Sequence, residues 1–123
     1  MSALKEILIL AVVFVAIDAT YLTAISGYFG SVVRRVQGSP IQLDFVAAVL
    51  CYAFLVGGLY YFIIRERRSW KEASLLGLVI YGVYETTTKS VLKNWDWLTV
   101  LLDTTWGSVL FGISTTATYA LTK

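Results

Sequence analysis

Four apolar runs fill almost all of this 123-residue chain and leave only short connections between them. They lie at about 7–28, 44–64, 73–92 and 98–121. Each run is close to the ~20 residues with which a helix crosses ~30 Å of hydrocarbon. A soluble domain of this length could not hide them. The sequence therefore predicts an all-α integral membrane protein: one transmembrane domain, residues 1–123, in which four helices form a bundle with short loops.

The composition agrees with a membrane protein and excludes several kinds of site. The mean hydropathy is +0.73, and the chain contains four Trp and eight Tyr. There is no His and Cys51 is the only Cys, which excludes zinc sites of Cys and His, Cys–His nucleophiles and an intrachain disulfide. The net charge of +2 comes from Lys and Arg in the connections, and no Gly-rich phosphate loop is visible. We therefore expect no nucleic-acid partner, no metal and no cofactor. Enzymatic activity is the less favoured class, because no nucleophile and base stand together.

An even number of spans places both termini on the same side of the membrane. Six basic residues then lie on the side of the termini, and four lie on the other side. The six are Lys5, Arg65, Arg67, Arg68, Lys71 and Lys123; the four are Arg34, Arg35, Lys89 and Lys93. Because connections rich in Lys and Arg tend to stay in the cytoplasm, this bias predicts cytoplasmic termini and a short cytoplasmic turn at 65–72.

The connection at 29–43 carries signals of two kinds. Gly30 and Gly38 are turn formers, which predicts that helix one ends near residue 28 and that a loop follows. In the same stretch, apolar residues interleave with Arg34 and Arg35, which allows a short amphipathic interfacial helix as the alternative.

The connection before helix four places Trp95 and Trp97 around Asn94 and Asp96. Trp side chains at such positions normally lie among the lipid headgroups, so we expect both to anchor the bundle at the interface.

Acidic residues lie well inside three of the four runs: Asp18 in the first, Glu85 in the third and Asp103 in the fourth. A charge at membrane depth costs at least ~2.5 kcal/mol on insertion scales, so it is seldom kept without a partner, a cavity or a function. At ~1.5 Å per residue, Asp18 lies ~16 Å and Glu85 ~18 Å from the cytoplasmic helix starts, close to the midplane. Lys89 and Asp103 share a second level nearer the opposite surface. We expect helices one, three and four to enclose these groups, while helix two completes the packing and contributes least chemistry.

The helix faces extend this polar cluster to neighbouring side chains. Glu85 and Lys89 are four residues apart, in the order that favours an ion pair. We therefore predict that the Lys89 ammonium forms a salt bridge with Glu85 or Asp103. The whole predicted site contains no catalytic and no metal-binding residue. It comprises Asp18, Tyr21, Tyr81, Glu85, Thr88, Lys89, Asp103 and Trp106.

Several motifs together resemble one known family. Residues 81–88 read Tyr-Gly-Val-Tyr-Glu-Thr-Thr-Thr, 92–95 read Leu-Lys-Asn-Trp and 103–107 read Asp-Thr-Thr-Trp-Gly. An Asp, aromatic, Leu motif begins at Asp18. These elements resemble the membrane proteins grouped as domain of unknown function 2177, and the resemblance spans nearly the whole chain. It implies a four-helix integral membrane protein for which no activity is established.

The chain departs from the pattern of that family at two positions. Glu85 stands where Asp is usual, which keeps an acid at that site. Asp96 follows Trp95 where the family often has Pro, so we expect the turn before helix four to be built differently.

Two classes of function fit these features. Acids at membrane depth exchange protons without leaving the hydrocarbon, so they suit a proton- or ligand-responsive site with a transport or carrier role. The alternative is a non-enzymatic structural subunit of a larger membrane assembly, such as an organelle complex or a virion membrane, in which the polar cluster joins the helices. Membrane lipids are the expected partners. The small residues Ser108, Gly112 and Thr116 suit packing inside the bundle, in a homo-oligomer or in a larger complex.

Overall fold

The structure, a computed structural model, describes residues 2–123 and contains four helices. They are α1 (Ala3–Gln37), α2 (Phe45–Leu59), α3 (Trp70–Val91) and α4 (Trp97–Leu121). A π-helical segment, Tyr60–Ile64, continues α2. No strand occurs among the described residues. The predicted all-α fold of four helices is confirmed.

Two stretches of helix are long and apolar enough to cross a membrane. One is α1, and the other is Phe45–Ile64, which α2 and the π-helical segment form together. That α3 and α4 also cross the membrane, so that the chain forms one domain of four spans, stays a prediction.

Each helix begins at a side chain that caps its first turn. Ser2 accepts a hydrogen bond from the backbone N–H of Lys5, Asp44 from Ala47, Ser69 from Glu72 and Asp96 from Thr99. The cap at Ser69 is reciprocal, because Glu72 accepts from the Ser69 N–H at 3.1 Å. The N–H groups of a first turn have no partner within the helix, so these caps determine where each helix begins. As a result α3 begins at Trp70, three residues before the apolar run.

α1 continues well beyond the first apolar run. It has 35 residues and is about 52 Å long at the usual rise per residue. Its C-cap is Gly38, whose φ of 76° is the left-handed conformation that glycine adopts readily. The N–H of Gly38 donates to the carbonyl of Arg34 at 2.8 Å. The predicted end of the helix near residue 28 is therefore wrong, and Gly30 lies inside the helix.

The last turns of α1 form a small second core with the start of α4. Val32 is completely buried and packs with Trp95 and Val100. Phe29 and Val36 lie at the margin of this cluster. The amphipathic pattern considered for an interfacial helix thus belongs to α1 itself, and burial of its apolar face explains why the helix does not stop earlier.

α3 and α4 form the tightest pair of helices, and they run antiparallel. Gly107 lies so close to Tyr81 that a Cβ at this glycine would overlap the aromatic ring. A Cβ at Gly77 would overlap the backbone of Gly107 in the same way. Glycines allow two helices to approach this closely, so they determine the spacing and the register of the pair.

α1 packs against α4 and supplies much of the apolar core. Leu10 and Phe14 of α1 are completely buried against Leu110 and Phe111 of α4. The rings of Phe14 and Phe111 meet edge to face, with their centroids 5.5 Å apart. This core lies in the half of the bundle that contains both termini.

α2 joins the bundle mainly through its second half. Val56 and Leu59 are buried, whereas Phe45, Val49 and Phe54 are exposed. An apolar helical face of this kind is suited to contact with lipid. The first half of α2 therefore covers the other helices less completely than its second half does.

Both termini lie at the end of the bundle that carries the turn between α2 and α3. Arg67 Nη2 lies 3.0 Å from Glu6 Oε2, which joins this turn to the start of α1. The Tyr119 hydroxyl donates to the carbonyl oxygen of Arg68 at 2.6 Å, which joins the turn to the end of α4. The start of α1 and the end of α4 thus share one end of the bundle, and it stays a prediction that both termini lie on one side of the membrane, in the cytoplasm.

Candidate functional site

A cavity of about 300 Å³ lies between the four helices, and all three acids of the apolar runs line it. We call it the acid cavity. It is lined by Asp18, Leu22 and Phe29 of α1, Cys51 and Leu55 of α2, Ile80, Tyr81, Tyr84 and Glu85 of α3, and Asp103 of α4. None of these residues is a Lys or an Arg. Within residues 2–123, no group of three or more His, Cys, Asp and Glu is placed to hold a metal ion.

Asp18 is held by two hydrogen-bond donors. It is only 7% exposed. Trp106 Nε1 donates to Oδ1 at 2.8 Å, and the Tyr52 hydroxyl donates to Oδ2. The Trp106 ring in turn stacks on Tyr21, with the centroids 4.3 Å apart. Because its donors come from α2 and α4, Asp18 connects three helices and has a partner for each oxygen.

Glu85 is held from the connection before α4. It is 1% exposed, and Trp95 Nε1 donates to Oε1 at 2.9 Å. Trp95 is itself buried, and its ring meets Phe29 edge to face. Asn94, with a left-handed φ of 70°, precedes it in the connection. The expectation that Trp95 anchors the bundle at the interface is therefore wrong, whereas Trp97 is largely exposed.

Asp103 differs from the other two acids. It receives no hydrogen bond from an N–H or O–H group within residues 2–123, although Asp18 and Glu85 each receive at least one. Its carboxyl group neighbours that of Glu85. It also borders a pocket of about 30 Å³ beside Tyr21, whose buried hydroxyl has no partner among the described residues. Asp103 is therefore the acid whose oxygens stay open to a ligand or a proton.

The structure places Lys89 outside the acid cavity. Its Nζ lies 5.5 Å from the centroid of the Trp97 ring, and it forms no ion pair within the described part of the chain. The register of α3 and α4 puts Glu85 level with Asp103 and puts Lys89 one turn further out. The predicted ion pair of Lys89 is therefore wrong. Depth was counted along each helix separately, which leaves out the offset between α3 and α4 and therefore put Lys89 level with Asp103.

The remaining predicted site residues divide between the cavity and its surroundings. Tyr81 lines the cavity, and Tyr21 and Trp106 form the stacked pair next to it. The Thr88 hydroxyl donates to the carbonyl of Tyr84 at 2.8 Å, within its own helix. Thr88 therefore has its partner in the backbone, as Thr hydroxyls inside helices often do.

Comparison with known families agrees with the motifs of the sequence. The model of the family described as "Predicted membrane protein (DUF2177)" matches residues 3–120, from the first turn of α1 to the last turn of α4. The chain belongs to this family. The predicted resemblance is confirmed, and with the two long apolar helices it establishes a membrane protein. No curated protein and no solved structure matches the chain.

Sequence reasoning missed two donors and one acid of this DUF2177 protein. Tyr52 comes from α2, the helix expected to contribute least, and it donates to Asp18. Trp95 is the second missed donor, because the sequence predicts it at the interface and the structure shows it donating to Glu85. Glu6 precedes the first apolar run, yet it is only 7% exposed and pairs with Arg67. A Tyr or Trp inside or next to an apolar run was the available signal, because these side chains carry a donor on an apolar body.

At the end opposite the termini, Asp96 joins α1 to the start of α4. It accepts hydrogen bonds from the Thr99 hydroxyl at 2.6 Å and the Thr99 N–H at 2.8 Å. It also accepts from the Tyr28 hydroxyl at 3.1 Å and from Arg35 Nη2 at 2.8 Å. These bonds, first of all those from Thr99, lower the pKa of Asp96 to about 2. Asp96 thus both caps α4 and joins it to α1.

Toward the termini, the acid cavity is bounded by an apolar layer. Leu10 and Phe14 of α1 and Phe111 of α4 are completely buried there, one to two turns beyond Asp18. Any passage of a ligand along the bundle axis would have to displace these side chains.

Proposed function

We propose that the acid cavity binds a small organic cation in competition with protons, as the binding step of a carrier or a sensor. The observation that carries this proposal is the lining, which contains three carboxyl groups and no Lys or Arg. Like charges in an apolar enclosure repel one another and lack water to solvate them. A proton or a bound cation removes that repulsion.

The three acids have different roles in such a site. Trp106 and Trp95 hold Asp18 and Glu85 in place before any ligand arrives. Asp103 has no such donor, so it is the residue that meets the incoming N–H or proton. When Glu85 and Asp103 share one proton, a hydrogen bond replaces their repulsion. A cation that enters the cavity displaces this proton, which couples binding to pH.

The walls favour an organic cation over an inorganic one. Leu22, Leu55 and Ile80 offer no oxygen ligands, which Na⁺ or Mg²⁺ would need in number. The aromatic side chains Phe29 and Tyr84 suit an ammonium group, which is attracted to the face of a ring. The volume of about 300 Å³ lies at the lower end of the range for small-molecule sites.

Binding of ammonium probes to the purified protein tests this proposal. Methylammonium and tetramethylammonium are titrated while Trp fluorescence is recorded, because Trp95 and Trp106 hold two of the acids. We expect a saturable change at alkaline pH that weakens as the pH is lowered. Asp103→Asn removes both the response and its pH dependence.

Asp44→Asn is the matched control, because Asp44 is an exposed acid outside the acid cavity and Asn caps a helix as Asp does. It leaves the response as in the wild type. The absence of a response to either probe at any pH would contradict the proposal, and so would an Asp103→Asn variant that responds like the wild type.

Carrier activity requires a second measurement, because the layer of Leu10, Phe14 and Phe111 closes the bundle toward the termini. In liposomes with a pH gradient, a carrier moves protons against the probe cation, and the flux disappears in Asp103→Asn. Binding without flux would assign the cavity to sensing.

The second candidate is a structural subunit of a larger membrane assembly. Two observations favour it: Phe45, Val49 and Phe54 leave one face of α2 uncovered, and both oxygens of Asp18 are satisfied internally. A subunit of this kind depends on neighbours for stability. A purified chain that is monodisperse and stable without a copurifying partner would count against this function.

A further inference from the structure

A second groove lies at the end of the bundle that carries the termini, between the π-helical segment and α3. It is an open groove of about 700 Å³. Its inner wall is apolar and contains Phe62 of the π-helical segment with Leu75 and Val79 of α3. Its mouth is formed by charged side chains of the turn between the helices. An apolar trough that ends in charges matches the shape of a lipid, with its acyl chain and its headgroup.

The mouth of the groove carries two Arg and two Glu side chains. Arg65 Nη2 lies 3.1 Å from Glu66 Oε1, and Arg68 Nη1 lies 3.1 Å from Glu72 Oε1. All four side chains are about half exposed. Exposed ion pairs contribute little to stability, so these groups can exchange partners with a ligand at small cost. Because positive and negative charges are equal in number here, the mouth suits a zwitterion rather than an anion.

The two Arg at the mouth pair only with half-exposed Glu side chains, whereas their neighbour Arg67 pairs with the buried Glu6. The Arg65 guanidinium lies 4.1 Å from the centroid of the Tyr61 ring, and the N–H groups that do not contact Glu66 can donate to a ligand. Arg67 points elsewhere, since it pairs with Glu6 and lies over the Tyr119 ring. The π-helical geometry of the segment that presents Arg65 is of a kind found often at functional sites.

We propose that this groove binds one phospholipid whose headgroup carries both a phosphate and a primary ammonium. The phosphate accepts hydrogen bonds from Arg65 and Arg68, whose forked donors match phosphate geometry. The ammonium donates to Glu66 and Glu72. One acyl chain lies along Leu75. A primary ammonium donates three hydrogen bonds and a quaternary one donates none, so the Glu pair selects phosphatidylethanolamine over phosphatidylcholine.

Native mass spectrometry of the purified, delipidated protein tests this selection. Equal amounts of phosphatidylethanolamine, phosphatidylcholine and phosphatidylglycerol are added, and the bound lipid is counted. We expect phosphatidylethanolamine to be retained roughly tenfold more than either of the others, as the loss of one charge-assisted hydrogen bond predicts. Equal retention of the three lipids, or a preference for phosphatidylglycerol, overturns the proposal.

Three variants separate the parts of the headgroup. Arg65→Gln with Arg68→Gln loses retention of all three lipids. Glu66→Gln loses only the preference for phosphatidylethanolamine and keeps the retention of phosphatidylcholine. Leu75→Trp fills the trough without touching a charge, and it lowers retention even when the double Arg variant fails to fold.

Arg34→Gln is the matched control. Arg34 borders an open groove at the opposite end of the bundle and forms no ion pair within residues 2–123. It keeps the lipid retention of the wild type. If Arg34→Gln loses as much lipid as the double variant, retention reflects a general attraction of basic residues for phosphate, and the proposal is overturned.

Discussion

Asp18 and Asp103 lie on two walls of one cavity, and their surroundings differ in one respect. Asp18 receives a hydrogen bond at each oxygen, from Tyr52 and Trp106, whereas Asp103 receives none within the described residues. An acid inside an apolar run is therefore not by itself a functional site. The number of internal donors separates an acid that holds helices together from one that stays open to a ligand.

Removal of both donors of Asp18 has the largest expected effect. In a Tyr52→Phe, Trp106→Phe variant the rings remain and the carboxylate loses both partners. We expect a loss of about 3–6 kcal/mol in the free energy of unfolding, because each of the two hydrogen bonds to a buried charge contributes about 1.5–3 kcal/mol. Unfolding in mixed micelles measures it. Tyr61→Phe with Trp97→Phe, which changes two largely exposed rings, serves as control and stays near the wild type. Equal losses in both double variants would mean that the two hydrogen bonds to Asp18 stabilise the bundle no more than two exposed rings do.

Single substitutions that neutralise Asp18 or Asp103 compare the two acids directly. Asp18→Asn replaces one accepting oxygen by an NH₂ group and should lose about 1–3 kcal/mol. Asp103→Asn removes a charge that has no donor, so we expect stability equal to or above that of the wild type. The two variants are compared by the same micelle unfolding measurement. A destabilisation of Asp103→Asn as large as that of Asp18→Asn would mean that Asp103 is also a structural residue.

Asp96 extends the comparison to an acid that has donors and lies outside the apolar runs. Its lowered pKa means that its stabilising contribution is complete above the ordinary Asp pKa of about 3.9, and that it is lost as the pH falls toward about 2. Asp96→Asn removes this part of the pH dependence. At neutral pH it changes stability little, because Asn also caps helices well.

Thermal unfolding midpoints recorded between about pH 5 and pH 2 test the contribution of Asp96. The two proteins should be about equally stable near pH 5, and the wild type should lose stability relative to Asp96→Asn as the pH falls toward about 2. Arg35→Gln is the control, because Arg35 is the smallest of the causes that lower this pKa. Identical pH profiles of Asp96→Asn and the wild type would contradict the prediction.

Replacement of Lys89 has the smallest expected effect on the free energy of unfolding. The sequence predicts an ion pair between Lys89 and the acids, whose loss in Lys89→Met would be the most damaging change in the cluster. The structure instead places Lys89 beside Trp97. We therefore expect Lys89→Met to stay within about 0.5 kcal/mol of the wild type, as for ordinary surface changes. A loss several times larger, with a new pH dependence, would indicate that Lys89 forms an ion pair with the acids of the acid cavity.

The fold was more predictable than the site because helical period and apolar length are local properties. Four runs indicated four helices, whereas the caps at Ser2, Asp44, Ser69 and Asp96 were not predicted, although Ser and Asp are common at helix starts. The end of α1 was not predictable in this way. Gly30 favoured a stop, but burial of Val32 against Trp95 outweighs that local preference, and the contact joins residues more than 60 positions apart.

The partners of the acids also depend on contacts between distant segments. The sequence identified the three acids, because a charge within an apolar run is visible without a structure. It did not identify Tyr52 as a donor to Asp18 or Trp95 as a donor to Glu85. Either aromatic side chain could equally have faced lipid.

By itself, the sequence determined the number of helices, the family and the identity of the acids inside the apolar runs. Each of these follows from residue types and their spacing along one segment. Only the tertiary structure decided which acids have donors, that Glu85 and not Lys89 is level with Asp103, and that the lining of the cavity contains no Lys or Arg. These properties depend on the register between helices, which is set by close contacts such as Gly107 against Tyr81. Register is a relation between two segments, so no single segment carries it.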